Sequence, residues 1–221
     1  MDTALPKGVI FDMDGVLVDS ESFICRASIE MFAEKGVQAK PEDFLPFVGT
    51  GENRFIGGVA EKYNVTLDIE KDKARTYDIY EKIIKGQLKP LNGVREFISL
   101  CRTKGKKIAV ASSADLRKVR ANLTEIGLSL DTFDAVITGE DVEHKKPAPD
   151  IFLLAAKRIA LDPTHCLVIE DAINGVAAAK AAGARCLAVT SCFPKERLAQ
   201  ADWVSSDLAH VPAQVLQWEN M

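Results

Sequence analysis

The chain has 221 residues, of which 47% are apolar and 27% are charged. This composition is typical of a globular protein and excludes collagen-like, disordered and membrane-embedded classes. Lys and Arg number 28 against 32 Asp and Glu, a net charge of -4, so no large positive surface is available to collect nucleic acid or acidic lipid. A small anionic ligand is still compatible with this total, because its site needs only local positive charge.

The cysteines and the apolar runs indicate the compartment. The five cysteines are odd in number, scattered and never arranged as C-x-x-C, so neither a disulfide framework nor a zinc site is predicted. No run approaches the roughly 20 apolar residues of a membrane span, and the first residues lack the apolar stretch of a signal peptide. We therefore expect a cytoplasmic protein with reduced cysteines, without membrane or nucleic-acid partners. A monomer is expected because core packing accounts for the apolar helix faces.

Short apolar runs alternate with helical patterns along most of the chain. Runs of this length are typical of strands buried on both faces of a sheet. Between them, apolar residues recur at the spacing of one helix face. The alternation predicts an α/β fold with a parallel sheet. The predicted strands are 9–11, 108–111, 135–137, 166–169 and 186–189, and the helix faces are Val94/Phe97/Ile98/Cys101, Leu116/Val119/Leu123/Ile126 and Phe152/Ala155/Ile159.

One segment interrupts this alternation and offers helical patterns with almost no strand run. Ser20 can cap its first helix and Gly36 can end it. The helices predicted within it are 20–35, 53–63 and 68–85. We therefore predict a Rossmann-like parallel-sheet core, residues 1–18 and 90–221, with an all-helical cap domain, residues 19–89, inserted after the first strand.

The segment Asp12-Met13-Asp14-Gly15 directly follows the first predicted strand and carries two carboxylates two residues apart. Where a strand ends, the backbone no longer has to alternate, so both side chains can turn toward one crevice at the carboxyl edge of the sheet. Carboxylates this close are costly unless a cation or a proton offsets their charge. Alone, the segment is equally compatible with an ordinary turn or a fragment of a calcium-binding loop.

A second acidic pair, Glu170-Asp171, follows another predicted buried strand. By itself it is as compatible with a solvated loop as with a site. Together with Asp12 and Asp14 at a neighbouring strand end, however, it predicts coordination of magnesium by oxygen ligands alone. The metal would neutralise charge and position a phosphate.

Two further segments would complete an anion site. Ser112 follows a predicted strand and, with the backbone of Ser113 and Ala114, offers a hydroxyl and N–H groups to a phosphate where a helix begins. Ser113 would alternatively cap that helix. Lys146 precedes a helix whose first turn is expected to hold Pro149, and a lysine at such a place is also typical of solvated surface.

These segments, in this order at successive strand ends, resemble the four signature motifs of the haloacid dehalogenase superfamily. The motifs are read at Asp12-x-Asp14-Gly15, Ser112, Lys146-Pro147 and Glu170-Asp171. The resemblance covers the whole chain, and the helical insertion is placed like the family's type 1 cap. Segments 14–21 and 146–152 look like the branch of β-phosphoglucomutases and sugar phosphatases. The resemblance thus implies a fold of the haloacid dehalogenase type.

The resemblance also implies roles in phosphoryl transfer. Asp12 would be the nucleophile that forms an aspartyl-phosphate, and Asp14 would be the general acid and base. Ser112 would hold the phosphoryl oxygens. Lys146, rather than Lys145, would balance the charge on Asp12 and the phosphate, because the family's lysine directly precedes the proline. The chemistry agrees, since phosphoryl transfer needs in-line positioning and positive charge around the equatorial oxygens.

For the metal, the resemblance implies Mg²⁺ as the cofactor. Asp171, the Asp12 carboxylate and the Asp14 backbone carbonyl would bind it, and Glu170 would act on it directly or through water. Asp14 argues against dehalogenation, because the departure of a halide needs no proton donor.

The cap segment favours a hydrolase over a phosphomutase. Where the mutase pattern has a cap-helix histidine, this chain has Ile24, and where it has a substrate-binding arginine, Glu52 is found here. A carboxylate at that place would repel a second phosphate. The glycine-rich cap loop is expected to select the substrate as the cap closes, although it would also serve as a plain connection. The residues predicted to contact phosphate or substrate there are Gly49, Thr50, Glu52, Asn53 and Arg54, with Lys118 of the core as a further candidate.

The sequence therefore predicts a magnesium-dependent phosphatase that acts on a small phosphorylated metabolite such as a sugar phosphate, a nucleotide or pyrophosphate. A phosphomutase of the β-phosphoglucomutase kind is the first alternative. The second is a non-catalytic module in which a phosphoaspartate serves as a regulatory signal.

Overall fold

Short strands alternate with helices through the described part of the chain, residues 6–212 and Val215, in a computed structural model. The strands are β1 (Gly8–Phe11), β2 (Lys107–Ala111), β3 (Ala135–Ile137), β4 (Cys166–Glu170), β5 (Arg185–Val189) and β6 (Trp203–Ser205). The α-helices are α1 (Glu21–Glu34), α2 (Pro41–Phe44), α3 (Glu52–Tyr63), α4 (Ile69–Ile84), α5 (Val94–Thr103), α6 (Leu116–Glu125), α7 (Asp150–Arg158) and α8 (Ile173–Ala181). Short 3₁₀ helices occupy Leu45–Phe47, Leu130–Thr132, Gly139–Asp141, Pro163–His165 and Lys195–Leu198.

The six strands form one parallel sheet in the order β3-β2-β1-β4-β5-β6. Strand β1 lies in the middle and is buried on both faces, because Val9 and Phe11 pack into one apolar cluster and Ile10 into another. This burial explains why its sequence is a continuous apolar run. The strand order reverses between β1 and β4, so a crevice opens beyond the carboxyl ends of these two strands.

All five predicted strands are present, and the predicted α/β fold with a parallel sheet is confirmed. Strand β6 was not predicted, because three residues at the sheet edge, two of them half-buried, leave no distinct apolar run. Helix α8 was not predicted either. Small apolar residues occupy consecutive positions along it, so its sequence lacks the spacing of a single helix face.

Helices α1 to α4 fill the predicted cap segment, and no strand of the sheet falls there within the described residues. Ser20 takes the N-cap position of α1, as predicted, but its hydroxyl makes no capping bond and donates instead to Asp14. Asp68 caps α4 by accepting a hydrogen bond from the Lys71 N–H at 3.3 Å. The exact limits of the cap domain, residues 19–89, stay a prediction.

The chain leaves the core and returns to it at adjacent points. Val18 forms an isolated bridge with Pro90, and the Leu91 N–H donates to the Leu17 carbonyl at 3.0 Å. The two connections to the helical segment therefore lie side by side near the end of β1.

A set of polar contacts, which we call the cap–core seam, joins α6 of the core to α3, α4 and the end of the cap segment. The contacts are Lys73–Asp115, Arg117 with Asp78 and Glu81, Tyr80–Asn122, Glu52–Lys118 and Gly86–Glu125. One consequence is that the predicted buried face of α6 is wrong at its start. Leu116 is 38% exposed, whereas Lys118 and Asn122 are buried because the cap covers that side of the helix.

The cysteines are free thiols, exposed at Cys192, half-buried at Cys25 and buried at the other three positions. Burial raises the pKa of Cys101 to about 12, so this thiol behaves as a small apolar group. Within residues 6–212 and at Val215, no helix combines the length and the apolar character needed to cross a membrane.

One buried hydrogen bond of the seam allows a test of its contribution to the stability of the fold. The Tyr80 hydroxyl donates to Asn122 Oδ1 at 2.5 Å, and both side chains are buried. Tyr80→Phe would leave this oxygen without a partner, so we expect the free energy of unfolding in urea to fall by about 1–3 kcal/mol. The double change Tyr80→Phe with Asn122→Leu should recover much of this loss, because neither of the two positions then carries a buried polar side-chain atom. Full stability in Tyr80→Phe alone would contradict the expectation.

Candidate active site

Charged and polar side chains converge on the crevice at the carboxyl ends of β1 and β4. Asp12 directly follows β1, Glu170 ends β4, Ser112 follows β2, and Lys146 comes from the loop before α7. The crevice has a volume of about 440 Å³. The residues that line it are Asp12, Asp14, Glu21, Leu45, Val48, Gly49, Ser112, Ser113, Lys146, Glu170, Asp171, Ala172, Ile173, Asn174, Gly175, Cys192, Phe193 and Arg197. All six motif positions predicted from sequence thus line this crevice: Asp12, Asp14, Ser112, Lys146, Glu170 and Asp171.

Lys146 lies between two carboxylates. Its Nζ is 2.5 Å from Asp12 Oδ1 and 2.7 Å from Glu170 Oε1, and its side chain is buried. Burial alone would lower the pKa of Lys146, but Asp12 and Glu170 together raise it above its usual value, so the side chain stays an ammonium ion. Lys145 is exposed and donates to the carbonyls of Gly139 and Val142. Of the two neighbouring lysines, only Lys146 reaches Asp12.

Glu170 is held by hydrogen bonds to both of its oxygens. Oε1 accepts from Lys146, and Oε2 accepts from the N–H groups of Asp171 and Ala172 at 2.8 Å each. Room for the carboxylate exists because residue 175, in the first turn of α8, is glycine: a Cβ there would lie 1.7 Å from Glu170 Oε1. Oε2 already accepts two hydrogen bonds, so a metal bound directly by Glu170 would have to share Oε1 with Lys146. The contacts observed fit a residue that orients Lys146.

Asp12 and Asp171 are carboxyls in a crowded and buried place. Burial, followed by the Glu170 charge, raises the pKa of Asp171 to about 8. Burial likewise raises the pKa of Asp12 to about 7, although Lys146 opposes the rise. One ammonium ion therefore does not fully compensate the three carboxyls at this edge of the sheet. The arrangement favours an additional cation.

Gly15 and Ser191 bring Asp171 close to the turn after β1. Gly15 has φ of 79°, and a Cβ there would lie 1.9 Å from Asp171 Oδ2. The Ser191 hydroxyl donates to the Gly15 carbonyl at 2.5 Å and lies 3.4 Å from Asp171 Oδ2. A side chain at position 15 would displace the carboxylate, so this close approach requires glycine.

Asp14 is held from two sides. The Ser20 hydroxyl donates to Oδ1, and Lys118 Nζ donates to Oδ2 at 2.9 Å. Lys118 is 5% exposed and also lies 3.6 Å from Glu52 Oε1. Burial would lower the pKa of Lys118, but Asp14 and Glu52 raise it above the usual value, so it is charged. From the sequence Lys118 was only a candidate substrate contact, and nothing in the spacing of α6 indicated that it pairs with Asp14.

Ser112 and Ser113 line the crevice together with the acidic residues. Ser112 is buried, and its Oγ accepts from the Ala114 N–H at 3.1 Å. Asp115, not Ser113, takes the N-cap position of α6, so the alternative reading of Ser113 as a cap is wrong. Pro149 takes the N-cap position of α7 instead of its first turn.

The residues predicted in the cap loop divide into two groups. Gly49 lines the crevice, and Gly49 and Glu52 line a smaller cavity beside it. Thr50, Asn53 and Arg54 are exposed and belong to neither set of lining residues. The Thr50 hydroxyl donates to the Phe47 carbonyl, and Arg54 pairs with Glu61 at 2.7 Å. Sequence spacing alone does not separate the two groups, because it does not say where the loop turns.

Comparison with known proteins identifies the family. The model of the haloacid dehalogenase-like hydrolases matches residues 6–183. The chain belongs to this family of hydrolases.

Three similar proteins narrow the branch. The Arabidopsis thaliana protein SUPPRESSOR OF QUENCHING 1, chloroplastic, is 46% identical over 201 residues, which are 88% of this chain and 19% of that protein. Hexitol phosphatase B of Escherichia coli (strain K12) is 33% identical over 81% of this chain and 82% of its own length. A crystal structure of CbbY from Rhodobacter sphaeroides in complex with xylulose 1,5-bisphosphate has a TM-score of 0.83 and 26% identity, covering 93% of this chain and 96% of that one.

These similarities confirm several predictions. The superfamily, its branch of sugar phosphatases and β-phosphoglucomutase-like proteins, and the class of phosphohydrolase are as expected. The chain spans 19% of the length of the plant relative and most of the length of the two bacterial proteins.

The place of Glu170 can be tested with two glycines. Gly175→Ala would force the Glu170 carboxylate away from Lys146. We therefore expect the free energy of unfolding to fall by more than about 1 kcal/mol. Gly57→Ala in α3 is the matched control, since the nearest atom would be an Ile69 methyl at 3.8 Å. It should stabilise the protein by roughly 0.5–1 kcal/mol through the better helix propensity of alanine. If both variants changed the free energy of unfolding in urea in the same direction, this account of Glu170 would be contradicted.

Proposed function

We propose that the protein is a magnesium-dependent phosphatase that hydrolyses a small phosphorylated sugar or polyol through an aspartyl-phosphate on Asp12. The observation that carries the proposal is the Lys146 ammonium fixed on Asp12 Oδ1 at the bottom of the crevice, which leaves the other Asp12 oxygen free to attack. The relatives named as phosphatases support the same reaction class.

In the first step, a free oxygen of the Asp12 carboxylate attacks phosphorus in line with the leaving oxygen. The bond from phosphorus to that oxygen breaks as the Asp12–phosphorus bond forms, and Asp14 donates a proton to the departing alkoxide. Lys146 and the Ser112 hydroxyl contact the equatorial phosphoryl oxygens, where charge is concentrated. The products are the alcohol and an aspartyl-phosphate.

In the second step, water attacks the same phosphorus. Asp14, now a carboxylate, takes a proton from this water, the Asp12–phosphorus bond breaks, and inorganic phosphate leaves. Ser20 and Lys118 both donate to Asp14, so its carboxyl group is oriented before substrate arrives. This fixed orientation supports the proposed role of Asp14, which acts first on the leaving oxygen and then on the attacking water.

The donor set fits magnesium. Among the described residues no three His, Cys, Asp or Glu side chains could hold a metal by themselves. Mg²⁺ is commonly bound by one or two carboxylates, with water and substrate phosphate completing the shell. Asp12, Asp171 and the Asp14 backbone carbonyl would hold it, and the raised pKa values of both carboxyls are those expected where Lys146 alone does not balance their charge. When bound, the ion would neutralise and position the phosphate.

The mutase alternative has less support, because Ile24 and the buried Glu52 carboxylate line the cavity beside the crevice. The cytoplasmic location and the monomeric state stay predictions.

The nucleophile and the acid–base residue can be tested by phosphate release from a panel of sugar and polyol phosphates. We expect Asp12→Asn to lower kcat by on the order of 10⁴-fold or more, because the covalent step is lost. Asp14→Asn should lower it by roughly 10²–10⁴-fold. The control is Asp131→Asn, an exposed aspartate in a 3₁₀ helix, which should release phosphate at the native rate. Undiminished release by Asp12→Asn would overturn the proposal.

Magnesium binding should depend on pH with a defined sign. Without metal, the pKa values of Asp12 and Asp171 lie above the ordinary 3.8, so their contribution to stability is complete below about pH 4 and is lost as the pH rises through 7 to 8. Mg²⁺ has to displace these protons, so it should stabilise more at pH 8 than at pH 5.

At pH 8, Mg²⁺ at a hundredfold excess over Kd should raise the free energy of unfolding by roughly 3 kcal/mol. Urea unfolding of chelator-treated protein with and without Mg²⁺ measures this. Asp171→Asn should lose most of the effect. An equal effect at both pH values would contradict the assignment of these carboxyls.

A further inference from the structure

A second cavity, which we call the cap pocket, lies beside the active-site crevice. Its volume is about 70 Å³, and Asp14 and Gly49 line both spaces, so the pocket is where a leaving group would extend from the phosphate. Its apolar wall comes from Ile24, Phe47 and Phe55. A pocket of this size holds part of a small molecule and not a whole one.

Glu52 is the distinctive group of the cap pocket. It is the first residue of α3, and its side chain is 9% exposed. Its Oε1 lies 3.6 Å from Lys118 Nζ, but its Oε2 is buried and has no hydrogen-bond partner. A buried acceptor without a partner costs about 1–3 kcal/mol, so a site that contains one is complementary to a ligand that brings a donor.

The pocket is short of positive charge. Lys118 approaches Asp14 more closely, at 2.9 Å, than it approaches Glu52. Glu21 lines the same pocket, so three carboxyl groups share one ammonium ion. Burial raises the pKa of Glu52, and Lys118 opposes the rise. A second phosphate placed here would be repelled by the carboxylates, and Lys118 is already paired with Asp14 and Glu52.

We propose that Glu52 selects the leaving group: its Oε2 accepts a hydrogen bond from a substrate hydroxyl, and its charge rejects a second phosphate. The substrate class is then a monophosphate ester of a polyhydroxylated, otherwise uncharged compound. The inference rests on the proposed phosphatase activity and adds to it the part of the substrate that is not phosphate. Glu52 is here a specificity residue that contacts the substrate but does not take part in bond breaking.

The test compares glucitol 6-phosphate with fructose 1,6-bisphosphate as substrates. The native protein should favour the monophosphate in kcat/KM. Glu52→Gln removes the charge and keeps the shape, so the preference should fall at least about tenfold. Glu52→Asp keeps the negative charge on a shorter side chain, so the carboxylate no longer reaches the substrate hydroxyl. Rejection of the bisphosphate should persist, while KM for the monophosphate rises. Glu61→Gln, an exposed glutamate of the same helix, is the matched control and should keep the native preference.

Binding provides a readout that does not need turnover. Calorimetry in the presence of Mg²⁺ compares the single variant Asp12→Asn with the double variant Asp12→Asn, Glu52→Gln. The single variant should bind the monophosphate more tightly than the bisphosphate, and the double variant should not. If the native protein releases no phosphate from any ester but Asp12→Asn still prefers the monophosphate, the proposed function fails and the role of Glu52 stands. Equal binding of the two ligands by Asp12→Asn, or absence of binding, would overturn the inference. Thermal unfolding of each variant verifies that it is folded.

Discussion

Two buried lysines hold together an edge of the sheet that would otherwise consist of carboxylates repelling one another. Lys146 lies between Asp12 and Glu170, and Lys118 lies between Asp14 and Glu52. A charge taken out of water is tolerated only when its partner is close and its remaining hydrogen bonds are made, and breaking such a pair typically costs about 3–5 kcal/mol. In the function that we propose, Lys146 marks the phosphoryl end of the crevice and Lys118 marks its leaving-group end. The chemistry that we propose depends on the pairing of Lys146 with Asp12, and the selectivity depends on the pairing of Lys118 with Asp14 and Glu52.

Much of the phosphoryl end could be predicted from the sequence, because it depends on local rules. Buried parallel strands are continuous apolar runs, and their carboxyl ends meet at one edge of the sheet. Polar residues placed directly after such runs, such as Asp12, Ser112 and Asp171, are therefore expected to converge. Lys146 does not follow a strand, and it was identified through its place before Pro147 in a family motif.

The leaving-group end could not be predicted in the same way, because it depends on how α3 and α4 pack against α6. The spacing along α6 placed Leu116 on the buried face and left Lys118 out of it, whereas with the cap in place Leu116 is exposed and Lys118 is buried. Ser20 was predicted to cap the start of α1, but its hydroxyl donates to Asp14, six residues away. Glu52 was noted from its place in the sequence alone. Its unpaired oxygen is a property of three-dimensional packing, as is the commitment of Lys118 to Asp14.

The position of the cap–core seam constrains how the cap can open. Its ion pairs and hydrogen bonds all involve α6 or its N-cap residue, whereas Leu45 and Val48, which line the crevice, are exposed. Separating α3 and α4 from α6 would break these contacts and leave buried polar atoms such as Asn122 Oδ1 without a partner. The seam also holds Glu52 of the cap against Lys118, which in turn donates to Asp14. The residue that we propose to select the leaving group and the residue that we propose to protonate it are therefore joined through one lysine.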